Sequence, residues 1–264
     1  MEIFQIVCLE YFKTVFSVNN GPAYVGLPTW VSNLVSVGSD NGEDVEFDLS
    51  PITPGIIRRV LSKCSNSSSP GPDGISYYHL KNLPCTHLFL ATLFSKIIIS
   101  SPFAPQIWCS GKILLFHKKD NNDSPENFRP IALTSTIGKL LHRIIAKRLE
   151  TYLLEIGYLD STLQKGFLSD VDGVMEHILS LNSILFNAKE HHLPLFMTFA
   201  DLRNAFGSIH HQLISDMLSL VGVPNTIVSY VSDLYSKLSG SVSTRHWQTN
   251  SFNITCGVIG GCRI

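Results

Sequence analysis

The chain has 264 residues, long enough to bury one large core or two intimate subdomains. Its 44% hydrophobic and 16% charged residues are globular proportions, and the absence of repeats and long low-complexity runs excludes a fibrous or disordered chain. A formal net charge of −1 excludes indiscriminate polyanion binding by the chain as a whole, yet the charge is uneven: residues 1–50 hold Lys13 against seven acids, whereas 51–264 hold 19 basic and 14 acidic residues, or +5.

A helix is expected within residues 1–18, with Phe4, Val7, Cys8, Tyr11, Phe12 and Val15 on one face, ended by Asn19-Asn20-Gly21-Pro22. Residues 32–50 are rich in Gly, Ser and acids and read as a loop or linker. Thr53 before Pro54 is a cap followed by a first-turn proline, opening a helix with Arg58, Arg59 and Lys63 on its exposed side, which Ser65-Asn66-Ser67-Ser68-Ser69 breaks. An apolar helix over about 86–100 contains Lys96 and is too short to span a bilayer. A strand at 112–117 and a loop at 125–130 follow. From Ser135 a long helix carries Leu140, Leu141, Ile144, Ile145, Leu149, Tyr152, Leu153 and Ile156 on its apolar stripe, with Lys139, Arg143, Lys147 and Arg148 towards the other side.

A further helix covers 173–188. Residues 195–200 are short and mostly apolar, as a strand buried on both faces should be, and Asp201 stands at its end. An acid there suggests a metal site, although aspartate is also a common turn residue. Ser208 then caps a helix towards Gly222, Pro224 opens another to Leu238, and 241–247 with 252–258 read as a hairpin. Helices and strands that do not alternate regularly predict an α+β architecture.

Six cysteines without a Cys-x-x-Cys pair, and no basic secretory segment at Met1-Glu2, predict free, mostly buried thiols and an intracellular protein of the cytoplasm or nucleus, with no membrane partner. The pairs His191-His192 and His210-His211 have no cysteine at zinc spacing and read as incidental surface residues.

Pro70-Gly71-Pro72-Asp73-Gly74-Ile75, Trp108, Lys118-Lys119-Asp120, Asn127-Phe128-Arg129-Pro130-Ile131, Gln164-Lys165-Gly166-Phe167, Asp201 to Phe206, and Cys256-Gly257-Val258 occur in that order. The succession resembles the reverse transcriptase domain of non-LTR (LINE-type) retrotransposons, from about Tyr11-Phe12 to the last residue. The resemblance implies a right-hand polymerase, fingers plus partial palm with the thumb absent: an N-terminal helix and acidic linker at 1–50, fingers at 51–193 and partial palm at 194–264. It implies Asp201 as the catalytic, metal-binding aspartate, magnesium as cofactor, and RNA template, DNA primer and deoxynucleotides as partners.

By the same resemblance, Arg129 grips the nucleotide's triphosphate, Lys118 or Lys119 meets the same phosphates, and Phe206 lies under the incoming sugar. A guanidinium offers a flat fork of donors to phosphate oxygens, and Pro130 keeps the preceding residue extended. Lys139, Arg143, Lys147 and Arg148, with Gln164 and Gly166, are expected along nucleic acid; a solvated surface charge is the alternative reading for each of the basic residues.

Three departures matter. Gly207 stands where the family has a second aspartate, and Gly260 where it has a glutamine. The Tyr-x-Asp-Asp hairpin is not in the sequence, and between Phe196 and Ile264 the only acids are Asp201, Asp216 and Asp233. The expectation is a fragment of an RNA-directed DNA polymerase, inactive as written, whose strands at 195–200 and 252–258 expose apolar faces and unpaired edges. A non-catalytic nucleic-acid-binding remnant and a protein-interaction relic stay open.

Overall fold

The computed structural model describes residues 2–18, 23–31, 45–118, 124–169, 171, 173–202 and 204–258. They form a mixed α+β fold: helices α1 (Glu2–Val15), α2 (Pro54–Ser62), α3 (Tyr77–Asn82), α4 (Thr86–Ile99), α5 (Thr136–Glu155), α6 (Gly173–Glu190), α7 (His211–Leu220) and α8 (Asn225–Ser236), and strands β1 (Ser110–His117), β2 (Phe128–Leu133), β3 (Ser239–Ser243) and β4 (Phe252–Asn253). Thr53 caps α2 as its sequence predicts, its hydroxyl accepting from the Ile56 amide at 3.3 Å. Ser135 caps α5 in the same way through the Gly138 amide.

The four strands make one small sheet in the order β2-β1-β3-β4. β1 is antiparallel to β2, with Phe116 opposite Arg129, and parallel to β3, with Ile113 opposite Val242. The loop expected at 125–130 is corrected: it is a single tight turn, Pro125–Asn127, and then strand. Pro130 hid that strand from a sequence reading. β2 is the sheet's edge, where a residue without an amide hydrogen breaks no ladder.

Helices α4, α5 and α8 close over the sheet. Phe94, Ile97, Leu140, Leu141, Ile145, Ile227, Tyr230, Ile113 and Val242 are buried in a single core that α1 joins through Cys8, Phe12 and Phe16. Phe4 of α1 meets the rings of Phe128 and Trp247, at 6.2 and 6.4 Å between centroids, so the N-terminal helix ties β2 to the loop after β3. Cys8, Cys64, Cys109 and Cys256 are buried free thiols, Cys85 is an exposed one, and Cys262 lies outside the described residues. Among the described residues no helix is long and apolar enough to cross a membrane.

Three further expectations are corrected. Residues 195–200 are not a strand; 191–202 are exposed throughout, with Phe196 94% and Phe199 80% accessible. Apolar sequence gives a strand only where a neighbour completes its ladder, and among the described residues none pairs with this segment. Residues 252–258, in contrast, do not expose an apolar face: Phe252, Ile254 and Cys256 are buried, with the amides of Thr255 and Cys256 donating to Phe16 at 2.9 and 3.1 Å. Ser208 does not cap the next helix either. It lies in the tight turn Ala205–Ser208, its hydroxyl donating to Asn204, and α7 begins at His211.

His142 of α5 is buried against α8, its Nε2 2.9 Å from the Tyr230 hydroxyl, and burial pushes its pKa down to about 3. The unfolded chain takes up a proton there below about pH 6.5 while the folded chain stays neutral. Stability from this site is therefore full above about pH 6.5 and falls, by up to about 1.4 kcal/mol per pH unit, as pH drops towards 3. Denaturant titrations of His142→Gln should lack this component; curves that fall in parallel for both proteins between about pH 6.5 and 4.5 would place a proton on the folded His142. In hydrogen exchange, amides of 195–202 should exchange near the unprotected rate and those of 140–152 far more slowly. Equal protection would mean that the exposed segment is part of the cooperative core.

Candidate nucleotide and nucleic-acid site

Arg129 stands on an edge strand next to a closed hairpin end. The Lys118 amide donates to the Asn127 carbonyl at 2.8 Å and the Lys118 ammonium reaches the Glu126 carbonyl at 3.4 Å, so the two sides of the hairpin are tied where Lys118 and Arg129 emerge. The Arg129 side chain is exposed and makes no hydrogen bond or ion pair among the described residues. Phe116, its cross-strand partner, is also half exposed. Among the described residues this guanidinium is unpartnered, on a strand held in the β1–β2 ladder, with Lys118 two residues past its cross-strand partner Phe116. Lys119 lies outside the described residues.

The segment containing Asp201 leads from exposed chain into a tight turn. Asp201 is exposed and has no partner among the described residues. Asn204 then takes up a left-handed conformation, φ 51°, a region that asparagine tolerates better than most residues, and swings the chain into the turn at Ala205–Ser208. Phe206 remains 54% exposed and meets Phe167 edge to face, with ring centroids 5.9 Å apart. The Gln164-Lys165-Gly166-Phe167 motif thus reaches the site through its phenylalanine. Gln164 donates to the Gly166 carbonyl at 2.9 Å within its own turn, and Lys165 is ion-paired with Glu176. Nothing in the sequence marked Phe167 above its neighbours; its exposure and positive φ of 66° are visible only in the structure.

Residues 256–258 dock onto this turn by backbone. The Val258 amide donates to Phe206 at 2.8 Å and the Gly257 amide to Ile209 at 2.7 Å, while His211 Nε2 donates to the Gly257 carbonyl at 2.9 Å. Gly257 has φ +85°, and a Cβ there would lie 2.8 Å from the Gly207 Cα, so glycine is required for the close approach. Gly260 and the residues after it lie outside the described residues.

On α5, Lys147 is exposed and paired with Glu150 at 3.0 Å, Lys139 and Arg143 are half-buried, and Arg143 lies 5.7 Å over the Tyr77 ring. Arg148 does not belong with them. Its side chain is turned inward, with Nε 3.1 Å from the Asp48 carboxylate, Nη1 donating to the Asp48 carbonyl at 3.0 Å and Nη2 to the Ser50 carbonyl at 2.8 Å. A charge at that position is affordable only because acceptors from 48–50 satisfy its donors, and those acceptors lie a hundred residues away in sequence.

The structure therefore brings together Lys118 with Arg129, and Phe206 with Phe167 and Val258. It joins Asp201 to none of them by hydrogen bond or ion pair. The other two acids between Phe196 and Ile264 are occupied elsewhere. Asp216 accepts from the Tyr24 hydroxyl at 2.6 Å, and Asp233 accepts from the Ala104 amide at 2.7 Å and pairs with Lys237. Among the described residues no group of three or more His, Cys, Asp and Glu is placed to hold a metal ion. A cavity of about 490 Å3 lined by Asp73, His79, Leu80, Phe89, Leu90 and Ile137 contains none of the candidate residues.

Comparison with known proteins agrees with the order of motifs. Over residues 116–264 the chain matches the reverse transcriptase (RNA-dependent DNA polymerase) family. It is 28% identical over 241 residues, 89% of this chain, to a retrovirus-related Pol polyprotein from a type-2 retrotransposable element of Drosophila melanogaster. It is 31% identical over 199 residues, 72% of this chain, to a probable RNA-directed DNA polymerase from transposon BS of the same organism, and 26% identical over 169 residues, 63% of this chain, to the RNA-directed DNA polymerase from mobile element jockey. The chain spans about a fifth of the length of each of these relatives: 22%, 21% and 18%. With more than half of its residues inside the family match, and Arg129, Asp201 and Phe206 all within it, the chain belongs to the reverse transcriptase family of non-LTR retrotransposons.

Proposed function

We propose that this chain is the nucleotide-gripping part of an RNA-directed DNA polymerase, fingers with the first part of a palm in a right-hand arrangement, acting on RNA template, DNA primer and deoxynucleotides in the cytoplasm or nucleus. The observation that carries this reading is Arg129: exposed, unpartnered among the described residues, and held on a strand whose hairpin end is closed beside Lys118. A triphosphate supplies the fork of oxygens that such a guanidinium lacks. Phe206 and Phe167 offer an aromatic edge where a sugar could rest, and Lys139, Arg143 and Lys147 provide charge for a phosphate backbone.

The family uses a divalent metal, and we read Asp201 as one ligand for magnesium. The described residues do not complete a two-ion site. Two dications about 3.5–4 Å apart need several hard oxygen ligands to offset their repulsion, and a single carboxylate gives one or two. This donor set supports no catalytic step by itself. With primed RNA, deoxynucleotides and magnesium, the isolated chain should therefore not extend the primer. Reproducible extension that disappears in Asp201→Asn would overturn that expectation.

Calorimetry tests the nucleotide reading directly. Arg129→Ala should weaken deoxynucleoside triphosphate binding by about 1.5–3 kcal/mol, the size of a lost charge-assisted contact. Equal affinities for wild type and variant would assign Arg129 to the solvated surface.

A further inference from the structure

The Pro70-Gly71-Pro72-Asp73-Gly74 turn contains none of the residues assigned above, yet it grips the joint on which two of them depend. β2, which carries Arg129, ends at Leu133, and α5, which carries Lys139, Arg143 and Lys147, begins at Thr136. Only Thr134 and Ser135 connect them, both buried. The turn lies flat against that dipeptide: a Cβ on Gly71 would sit 2.3 Å from the Thr134 carbonyl oxygen, a distance no side chain tolerates.

Asp73 locks the arrangement. One carboxylate oxygen accepts from the Ile75 amide at 3.1 Å, which holds the turn, and the other accepts from the Ser135 hydroxyl at 2.7 Å. The same hydroxyl accepts from the Gly138 amide at 3.4 Å and so caps α5. Residues 51–118 contain seven lysines and arginines and Asp73 as their single acid. Among the described residues its carboxylate pairs with none of those cations, being taken up by a hydroxyl and an amide.

We propose that Asp73 is a positioning residue for nucleotide binding: by holding Ser135 it fixes the exit of β2 relative to α5, and so sets where Arg129 stands. The inference rests on the reading of Arg129 as a triphosphate ligand. A geometric error of about 1 Å at such a support weakens a directed contact without removing it.

The test is a double-mutant cycle with dTTP and magnesium in calorimetry on the full chain. Asp73→Ala should weaken dTTP binding by about three- to tenfold in the native background and leave it within about twofold when Arg129 is already alanine. Asp73→Asn retains an acceptor for the Ile75 amide and a hydrogen-bonding partner for Ser135 and should stay within about twofold of wild type. Should Asp73→Ala not fold, Asp73→Glu carries the same comparison, because it moves the carboxylate by one methylene and keeps its charge. An equal loss in both backgrounds would show that Asp73 acts through general stability and would overturn the proposal. So would a silent Asp73→Ala beside a weakened Arg129→Ala. If Arg129→Ala is itself silent, the reading of Arg129 fails first and this inference falls with it.

Discussion

The parallel pairing of β1 with β3 is the constraint on which the rest of the fold depends. Ser110 and Ser239 stand opposite each other although 129 residues separate them, and a parallel pair requires a crossover between its strands. The crossover here, residues 118–238, is nearly half of the chain, and Arg129, Asp201 and Phe206 all lie on it. Closing so long a loop costs little more than closing one of half the length, about 0.6 kcal/mol per doubling, so the pairing is limited by what it buries and not by its span. It buries Ile113 and Val242 beneath α4, α5 and α8. Because β1 is taken by β3 on one side, β2 is left as the edge, and an edge is where a proline can sit beside an outward-facing arginine.

Backbone contacts, more than side-chain identity, join the two motif segments of the second half. Val258 and Gly257 donate to carbonyls of 206 and 209, and the absence of a side chain at Gly257 allows that approach to the backbone of Gly207. Gly207, where the resemblance predicts a second aspartate, lies against Asn204: a Cβ there would meet the Asn204 side-chain amide at 2.4 Å, while Asn204 itself takes the left-handed conformation. The departure from the family pattern and the local conformation are consistent with each other. Aromatic contact adds to the same junction, where Phe206 takes Phe167 as its neighbour.

Much of this was legible in the sequence because it rests on local signals. Thr53-Pro54 announced α2, Ser135 announced α5, and the 3.6-residue spacing of Leu140, Leu141, Ile144 and Ile145 announced the face that α5 buries. What failed depended on distant partners. Periodicity places Arg148 beside Lys147, but whether it turns outward is decided by acceptors at Asp48 and Ser50. An apolar run at 195–200 has strand composition, but a strand is defined by its neighbour. Pro130 argued against a strand that the edge position permits. The roles of Asp73 and Phe167 were hidden for a related reason, since their partners Ser135 and Phe206 are 62 and 39 positions away and no spacing rule links them.

The exposed segment before Asp201 bears on chemistry as well as on stability. Its backbone donors and acceptors face water, as do Phe196, Met197 and Phe199, so this stretch can be buried only by something that supplies both an apolar face and hydrogen bonds, and a paired strand supplies both at once. Asp201 directly follows it. The orientation of a carboxylate at the end of a strand is set by the ladder that precedes it, and without a ladder the chain between 195 and 201 has no fixed register against the turn at Phe206. The backbone at Arg129, which we read as a phosphate ligand, is held because β2 already pairs with β1. The Asp201 carboxylate, which we read as a metal ligand, lacks the equivalent support, and the same pairing that covered Phe196 and Phe199 would supply it.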